Sequence, residues 1–251
     1  MRTLEEKTLD TANIRNRSII AFAFFALFIA GCFFTWQWLQ KQPKEQGALK
    51  PLRMVMNANE KLFSNIVSDE HKAKTFSPFV AAPRVRVNGD AGLSAGFDTA
   101  NWKLQVIRKA GDTLFVSLDE LKALPKTDII FDFKCIEGWS QVTHWAGVKF
   151  SDFVKKYGLD EQSQMEYVGL NTPDQEYYVG IDRKSILHPQ TILCYEMNGR
   201  PLPMNQGYPL RLIIPVKYGV KHLKRIGTIY FSNQRPPDYW YERGYDYFCG
   251  L

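Results

Sequence analysis

The segment SIIAFAFFALFIAGCFFTWQWL, residues 18–39, carries no charged side chain, and its apolar run from Ile19 to Phe34 is unbroken. With Trp36, Trp38 and Leu39 it reaches the ~20 residues that cross ~30 Å of hydrocarbon as a helix. The two tryptophans stand where an interfacial aromatic belt would lie. A buried core helix rarely goes so long without a polar residue. A cleaved signal peptide usually has a shorter apolar region and a small-residue cleavage site, whereas here WQWLQKQPK follows. The sequence therefore predicts an N-terminal cytoplasmic segment over 1–17 and an uncleaved transmembrane anchor over 18–39. A polar linker with some helical content follows over 40–75, then a globular domain over 76–251. Arg15 and Arg17 flank the span on one side and Lys41 and Lys44 on the other, so positive charge gives little contrast in orientation.

The 251 residues suffice for one large domain plus an appendage. Six Trp, twelve Tyr and seventeen Phe supply ample core, and the low-hydrophobicity signature of disorder is absent. The cysteines are Cys32, Cys135, Cys194 and Cys249, with no CxxC among them, and the four histidines show no zinc-ligand spacing. So few cysteines in so long a chain argue against a disulfide framework, although pairings of Cys194 with Cys135 or Cys249 stay open.

PRVRVNG alternates and ends in Asn-Gly, predicting a strand that enters a turn. NWKLQVIRKAGD predicts a second strand. SLDELKALP predicts a short helix with Ser117 as cap, Glu120 completing a capping box and Pro125 beyond its end. DIIFDFKC predicts a third strand with Phe131, Phe133 and Cys135 on one face, and KFSDFVKKYG a helix capped by Ser151 and stopped at Gly158. Further strands are expected in MEYVGLNT, EYYVGI, TILCYEM, PLRLIIP and RIGTIYFS, with a short helix near DRKSILH and a turn at Asn198-Gly199. No regular βαβ spacing and no repeat emerges, so the fold class is α+β with mixed sheets.

From Met197 to Pro237 there is no acidic residue, yet the stretch holds Arg200, Arg211, Lys217, Lys221, Lys224, Arg225 and Arg235. A charge run alone reads as a solvated basic face. This one is threaded with apolar and glycine residues, as in LRLIIPVKYGVKHLKRIG, which suggests a basic loop held between buried strands as an anion pocket. No aromatic-stacking motif accompanies it, so nucleic acid is not the expected partner. Cys135, at the end of its predicted strand, reads from the residues alone as an inert core thiol, a ligand or a nucleophile.

CIEGWSQVTHWAGVKFSDFV, residues 135–154, resembles the molybdenum-ligand segment of the sulfite-oxidase superfamily, especially the bacterial branch that includes the methionine-sulfoxide reductase catalytic subunit. In that segment a cysteine precedes an apolar loop and helix. PLPMNQGYPLRLIIPVKYGVKHLKRI, residues 201–226, is similar to the family's pterin-phosphate segment, and DYWYERGYDYFCGL to its ending. The resemblance covers most of 84–251 and implies a sulfite-oxidase-like molybdopterin-binding fold holding one molybdenum–pyranopterin. Cys135 would then be the catalytic metal ligand, a soft thiolate suited to that metal. The resemblance further assigns Arg211, His222, Leu223 and Lys224 to the cofactor and its phosphate, with Thr172 as a cofactor-contacting threonine. Where the family has an asparagine before the glycine of a QNG-type turn, this chain has Gln206, with Asn205 one place earlier. PRVRVNG is a further source of site residues in Arg84, Arg86 or Asn88.

The resemblance implies an oxidoreductase cycling the metal between Mo(VI) and Mo(IV) in oxygen-atom transfer on a small sulfoxide or oxyanion. With no haem or iron–sulfur motif in the sequence, electrons are expected from a membrane haem partner. By analogy the domain faces the periplasm from the inner membrane, and Arg15-Asn-Arg17 stands where the family's export signal has consecutive arginines. Two other readings remain. One is a metal-free, membrane-tethered binding module of the same fold. The other is a cysteine-dependent hydrolase pairing Cys135 with the loop histidine His144. Glu137 and Trp139 are expected to shape the cysteine loop, Cys194 to be a buried strand thiol, and Tyr178, Tyr195 and Tyr218 are candidate hydroxyls near the metal.

Overall fold

The computed structural model describes residues 11–64 and 68–251. Residues 1–10 of the predicted cytoplasmic segment and 65–67 of the predicted linker lie outside the described residues. The apolar run lies within helix α1 (Thr11–Gln40), which buries none of its residues. Among the described residues it is the one helix long and apolar enough to cross a membrane.

A two-strand hairpin, β1 (Lys44–Glu45) and β2 (Ala48–Leu49), leads into α2 (Lys50–Ser64). Strands β3 (Leu104–Lys109) and β4 (Asp112–Val116) form a hairpin, followed by α3 (Leu118–Lys122). Then come β5 (Lys126–Lys134), β6 (Ser140–Lys149), α4 (Phe150–Lys156), β7 (Tyr167–Asn171), β8 (Tyr178–Asp182) and α5 (Arg183–Ile186). The chain ends with β9 (Ile192–Met197), β10 (Arg200–Pro201), β11 (Arg211–Ile213) and β12 (Thr228–Ser232). One sheet runs β10-β9-β6-β5 with β11 also on β9, and another runs β4-β3-β12-β7-β8. Every pairing is antiparallel except β12 with β3, so the α+β class with mixed sheets holds.

The larger core joins the two sheets, with Val148 and Leu193 on one side and Val106, Leu170 and Ile229 on the other. A smaller cluster of Ile129, Phe131, Trp145, Ile192 and Cys194 covers the opposite face of the β5-β6-β9 sheet. Burial on both faces explains why β6, the longest strand, escaped the sequence reading, which left it as an apolar loop. Its C-terminal half, continuously buried from Trp145 to Val148, lacks the clean alternation of a one-faced strand. At the β6–β9 bulge, a Cβ on Gly147 would stand 2.1 Å from the Leu193 carbonyl oxygen, so the close approach of these strands requires glycine.

Two other local expectations are corrected. PRVRVNG forms no ladder: its extended backbone bonds instead to side-chain amides, Arg86 N donating to Gln141 Oε1 and Gln206 Nε2 to the Val85 and Arg86 carbonyls. Helix α4 begins at Phe150 after Lys149, without a side-chain cap, so Ser151 lies inside it; Gly158 follows its end at φ +60° as expected. The capping box of Ser117 and Glu120 is present, as is the Asn198-Gly199 turn between β9 and β10. All four cysteines are free thiols.

Candidate active site

Strand β5 delivers Cys135 to the floor of a cavity enclosing about 950 Å³ of atom-free space, part of it open to solvent. The cysteine turn closes on itself, Cys135 N donating to the Trp139 carbonyl and Gly138 N to the Cys135 carbonyl. Asn88 Nδ2 donates to Cys135 Sγ at 3.7 Å, and Trp139 Nε1 to Glu137 Oε2 at 3.2 Å. Hydrogen bonds from Asn88 and Trp139 hold the Glu137 carboxyl below its usual range. Arg86 lies 4.7 Å over the Trp139 ring, so the 85–89 segment and the cysteine loop form one rim.

The opposite wall carries charge. Arg211, on β11 opposite Cys194, is 2% exposed and stacks 4.5 Å over Trp145. Its Nη1 donates to the Gln206 carbonyl at 3.1 Å and to Gln206 Oε1 at 2.8 Å, while its Nε is buried with no partner among the described residues. Burial lowers the Arg211 pKa to about 10. Lys224 Nζ donates to the Asn88 and Gly89 carbonyls at 2.7 and 2.8 Å, and its pKa is lowered to about 8, first by burial and then by Arg211, with Asp90 opposing. Neither cation forms an ion pair with a carboxylate among the described residues. A buried guanidinium with an orphaned donor beside an ammonium with one proton left unbonded is an arrangement suited to an anion.

The other cations of the acid-free stretch serve the fold. Lys217 lies 2.7 Å from Asp182, Lys221 pairs with Asp238, and Arg235 meets Glu60 at 2.7 Å. Arg225 donates to the Tyr208 and Ser94 carbonyls and stacks on Phe97, while Arg200 is exposed. The anion pocket expected from the run is thus reduced to Arg211 and Lys224.

Of the remaining residues, His222 lines the cavity as a neutral ring: burial and Arg211 lower its pKa to about 3. Its Nε2 donates to the Lys217 carbonyl and its Nδ1 accepts from Ile214 N, which fixes the tautomer. Gln206 is buried at the wall, and Asn205 is exposed beyond it. Leu223 is fully buried in the core, its carbonyl accepting from Leu212 N. Thr172 is buried behind the site with its hydroxyl donating to Asp174, and it does not line the cavity; nor does Arg84. His144 sits on β6 between the cavity-lining Thr143 and Trp145 and so points to the other face, where it meets Asp128 at 2.7 Å. It is a strand residue and forms no nucleophilic pair with Cys135. Burial drives the Cys194 thiol up to about 12.

Tyr178, Tyr195 and Tyr218 are not among the lining residues; Tyr177, Trp240 and Tyr245 are. The Tyr177 hydroxyl donates to the Val220 carbonyl at 2.6 Å, and burial raises its pKa. Alternation along EYYVGI could have separated Tyr177 from Tyr178, but nothing local marks Trp240 or Tyr245, which reach the site through the C-terminal loop.

The lowered Lys224 value carries a pH prediction. A base whose folded pKa lies below its unfolded value binds its proton less readily in the folded chain. Folding is therefore handicapped below about pH 8, and the handicap lifts as pH rises from about 8 towards the ordinary 10.5. An anion in the cavity removes it, so inorganic phosphate should raise the melting temperature of the ligand-free protein more at pH 7 than at pH 9. Equal shifts at both values would place the phosphate elsewhere.

Fold and site together define an α+β domain that presents a cysteine thiol and two cations without a carboxylate partner among the described residues in one aromatic-walled cavity, an arrangement suited to an anionic ligand. Residues 91–240 match the oxidoreductase molybdopterin binding domain, and the chain belongs to that family of oxidoreductases. It is 39% identical over 61% of its length, and 57% of the relative's, to a protein of Azospira oryzae provisionally named protein-methionine-sulfoxide reductase subunit YedZ1. It is 28% identical to the protein-methionine-sulfoxide reductase catalytic subunit MsrP of Campylobacter jejuni, over 69% of this chain and 63% of that one. The chain thus spans about three fifths of the curated relatives it matches. The crystal structure of the sulfane dehydrogenase SoxCD from Paracoccus pantotrophus matches over 55% of this chain and 40% of that one, with TM-score 0.48 and 15% identity.

Proposed function

We propose that the protein is a membrane-anchored molybdenum–pyranopterin oxidoreductase that reduces a sulfoxide, methionine sulfoxide being the substrate class its relatives' names indicate. The observation that carries this reading is the meeting of Cys135 with the unpaired Arg211 and Lys224 in one cavity. The donor set fits the group: a thiolate for the metal, a guanidinium and an ammonium for the phosphate, and Trp139, Tyr177, Trp240 and Tyr245 to enclose a planar ring system. When bound, the cofactor supplies two-electron chemistry coupled to oxygen-atom transfer. Overall, a sulfoxide takes two electrons and two protons and leaves as a thioether and water.

The chain's own residues set the conditions. Asn88 Nδ2 donates to the Cys135 sulfur at 3.7 Å and ties it to the 85–89 segment. Gln206 holds Arg211 by two acceptors, so the guanidinium is oriented before an anion arrives. Lys224 ties the 88–89 turn to the phosphate wall with two of its three protons, leaving one for the ligand. Neutral His222 adds no further charge to a wall that already holds two cations. Electrons come from a membrane haem protein, and helix α1 keeps the domain close to it, facing the periplasm.

The test is molybdenum by mass spectrometry in the wild-type protein and in Cys135→Ser, from a host shown to load a control molybdoenzyme. Near one atom per wild-type chain is expected, little in the serine variant, and a loss of methionine-sulfoxide reduction beyond the ~100-fold typical of outer partners. A metal-free wild-type protein would overturn the reading in favour of the binding module. A loaded protein inactive on methionine sulfoxide would overturn only the substrate.

A further inference from the structure

Helix α2 packs with the wrong side inward for a soluble surface helix. Its protein-facing side is mainly polar: Arg53 is fully buried, and Asn57, Glu60 and Ser64 follow it around the same face, with the apolar Met56 set against Arg53. Arg53 Nη1 donates to the Tyr245 carbonyl at 2.8 Å, and its Nη2 to the Tyr241 and Gln46 carbonyls at 2.9 and 2.6 Å. Glu60 adds its ion pair with Arg235. These bonds fix the rotation of the helix, and what remains outside is apolar: Leu52, Met54, Val55, Leu62 and Phe63 are 45–63% exposed. At ~100° per residue Leu52, Met54, Val55 and Leu62, with Pro51 and Ala58, cover the side of the helix away from the domain, while Asn59 and Phe63 border a cleft with Val216 and Phe248. Propensity and core packing do not account for an arrangement that hides charge and exposes leucine.

We infer that this face of α2 lies in the bilayer interface, so that the domain rests on the membrane surface instead of hanging from a flexible tether. The inference rests on the reading of α1 as an anchor. The occupant follows from continuity: α1 ends at Gln40, and α2 begins at Lys50 after a linker folded back as the β1–β2 hairpin. Gly47 packs that hairpin against Arg243 and Gly244, where a Cβ would meet backbone at 2.5 Å. The helix therefore starts where the chain leaves the lipid. The exposed Lys41, Lys44 and Lys50 flank the start of the segment, where lipid phosphates would lie. Because Arg53 grips residues 241–245, and Tyr245 lines the cavity beside Trp240, the interfacial helix also orients the site against the membrane.

Nitroxide depth measurements on the full chain in vesicles with anionic lipid test this. All are made in a Cys135→Ser background, with native Cys32 as the probe of α1, and with Cys32→Ser plus Val55→Cys, Leu62→Cys or Lys122→Cys for the rest. Labels at 55 and 62 should collide more with oxygen than with a water-soluble nickel chelate, at ~5–10 Å below the headgroups. Lys122, on the exposed side of α3, should show the reverse. Aqueous labels at 55 and 62 with Cys32 in hydrocarbon would overturn the inference and leave the anchor standing. Labels shielded from both reagents would overturn it in favour of a protein cover, a second copy or a partner. An aqueous Cys32 would overturn anchor and inference together.

Discussion

Arg211→Met is expected to leave the cofactor-free protein about as stable as wild type while crippling its capacity to hold an anion. In the ligand-free fold the guanidinium is an uncompensated buried charge with an orphaned Nε, and burial already drives its pKa down to about 10. Replacing a buried charge by an apolar side chain of similar volume is often neutral or stabilising by ~1–4 kcal/mol. Against that stand the two lost hydrogen bonds to the Gln206 carbonyl and Oε1, together worth ~2 kcal/mol. The stacking area over Trp145 is kept by the methionine. The net change should therefore fall between a loss of ~1 kcal/mol and a gain of ~2 kcal/mol. The same variant should bind inorganic phosphate ~10–100-fold more weakly, the worth of one charge-assisted bond of ~1.5–3 kcal/mol, and carry correspondingly less molybdenum. Denaturant unfolding of the apoprotein and a phosphate titration read the two effects separately. A variant much less stable than wild type would mean that Arg211 serves the fold.

That division of the basic stretch could not be read from the sequence. Its lack of acids is real between Met197 and Pro237, but the partners of Lys217, Lys221 and Arg235 come from Asp182, Asp238 and Glu60, on β8, in the C-terminal loop and on α2. Local signals were legible where they are local: the Ser117 capping box, the Asn198-Gly199 turn and the alternation that ends β5 at Cys135. The site's sulfur and two cations were legible through family-like segments. The aromatic walls were not, because Trp240 and Tyr245 reach the cavity only through loop packing. Strand β6 hid because both its faces are buried, and 83–89 looked like a strand because side-chain amides can satisfy an extended backbone as well as a neighbouring strand can. The polar face of α2 carried a misleading pattern, since amphipathicity shows that a helix has two sides without saying which one meets protein.

Lys221→Met should do the opposite of Arg211→Met, although both remove one buried cation from the same stretch. Lys221 and Asp238 are each about 2% exposed and pair directly, and Lys221 also donates to the Gly180 carbonyl at 3.1 Å. Asp238 accepts in addition from Gly180 N and Tyr241 N. The pair ties the 219–222 turn, whose Gly219, Val220 and His222 line the cavity, to β8 and to the loop bearing Trp240. Removing the lysine leaves a carboxylate buried without its counter-charge, which costs ~3–5 kcal/mol where the partner cannot be rehydrated. For a domain of this size that is a fall of ~6–20 °C in melting temperature. Asp238→Asn should be milder, because the amide oxygen still accepts from one of the two backbone N–H groups, which bond to different carboxylate oxygens, and an unpaired lysine can shed its proton. Cofactor loading should suffer in Lys221→Met only as far as the fold does, so cofactor-loaded protein recovered at low temperature should keep its molybdenum. A Lys221→Met apoprotein as stable as wild type would show that the two carboxylate-paired lysines are as dispensable to the fold as Arg211, and the division of the basic stretch into structural and anion-binding cations would fail.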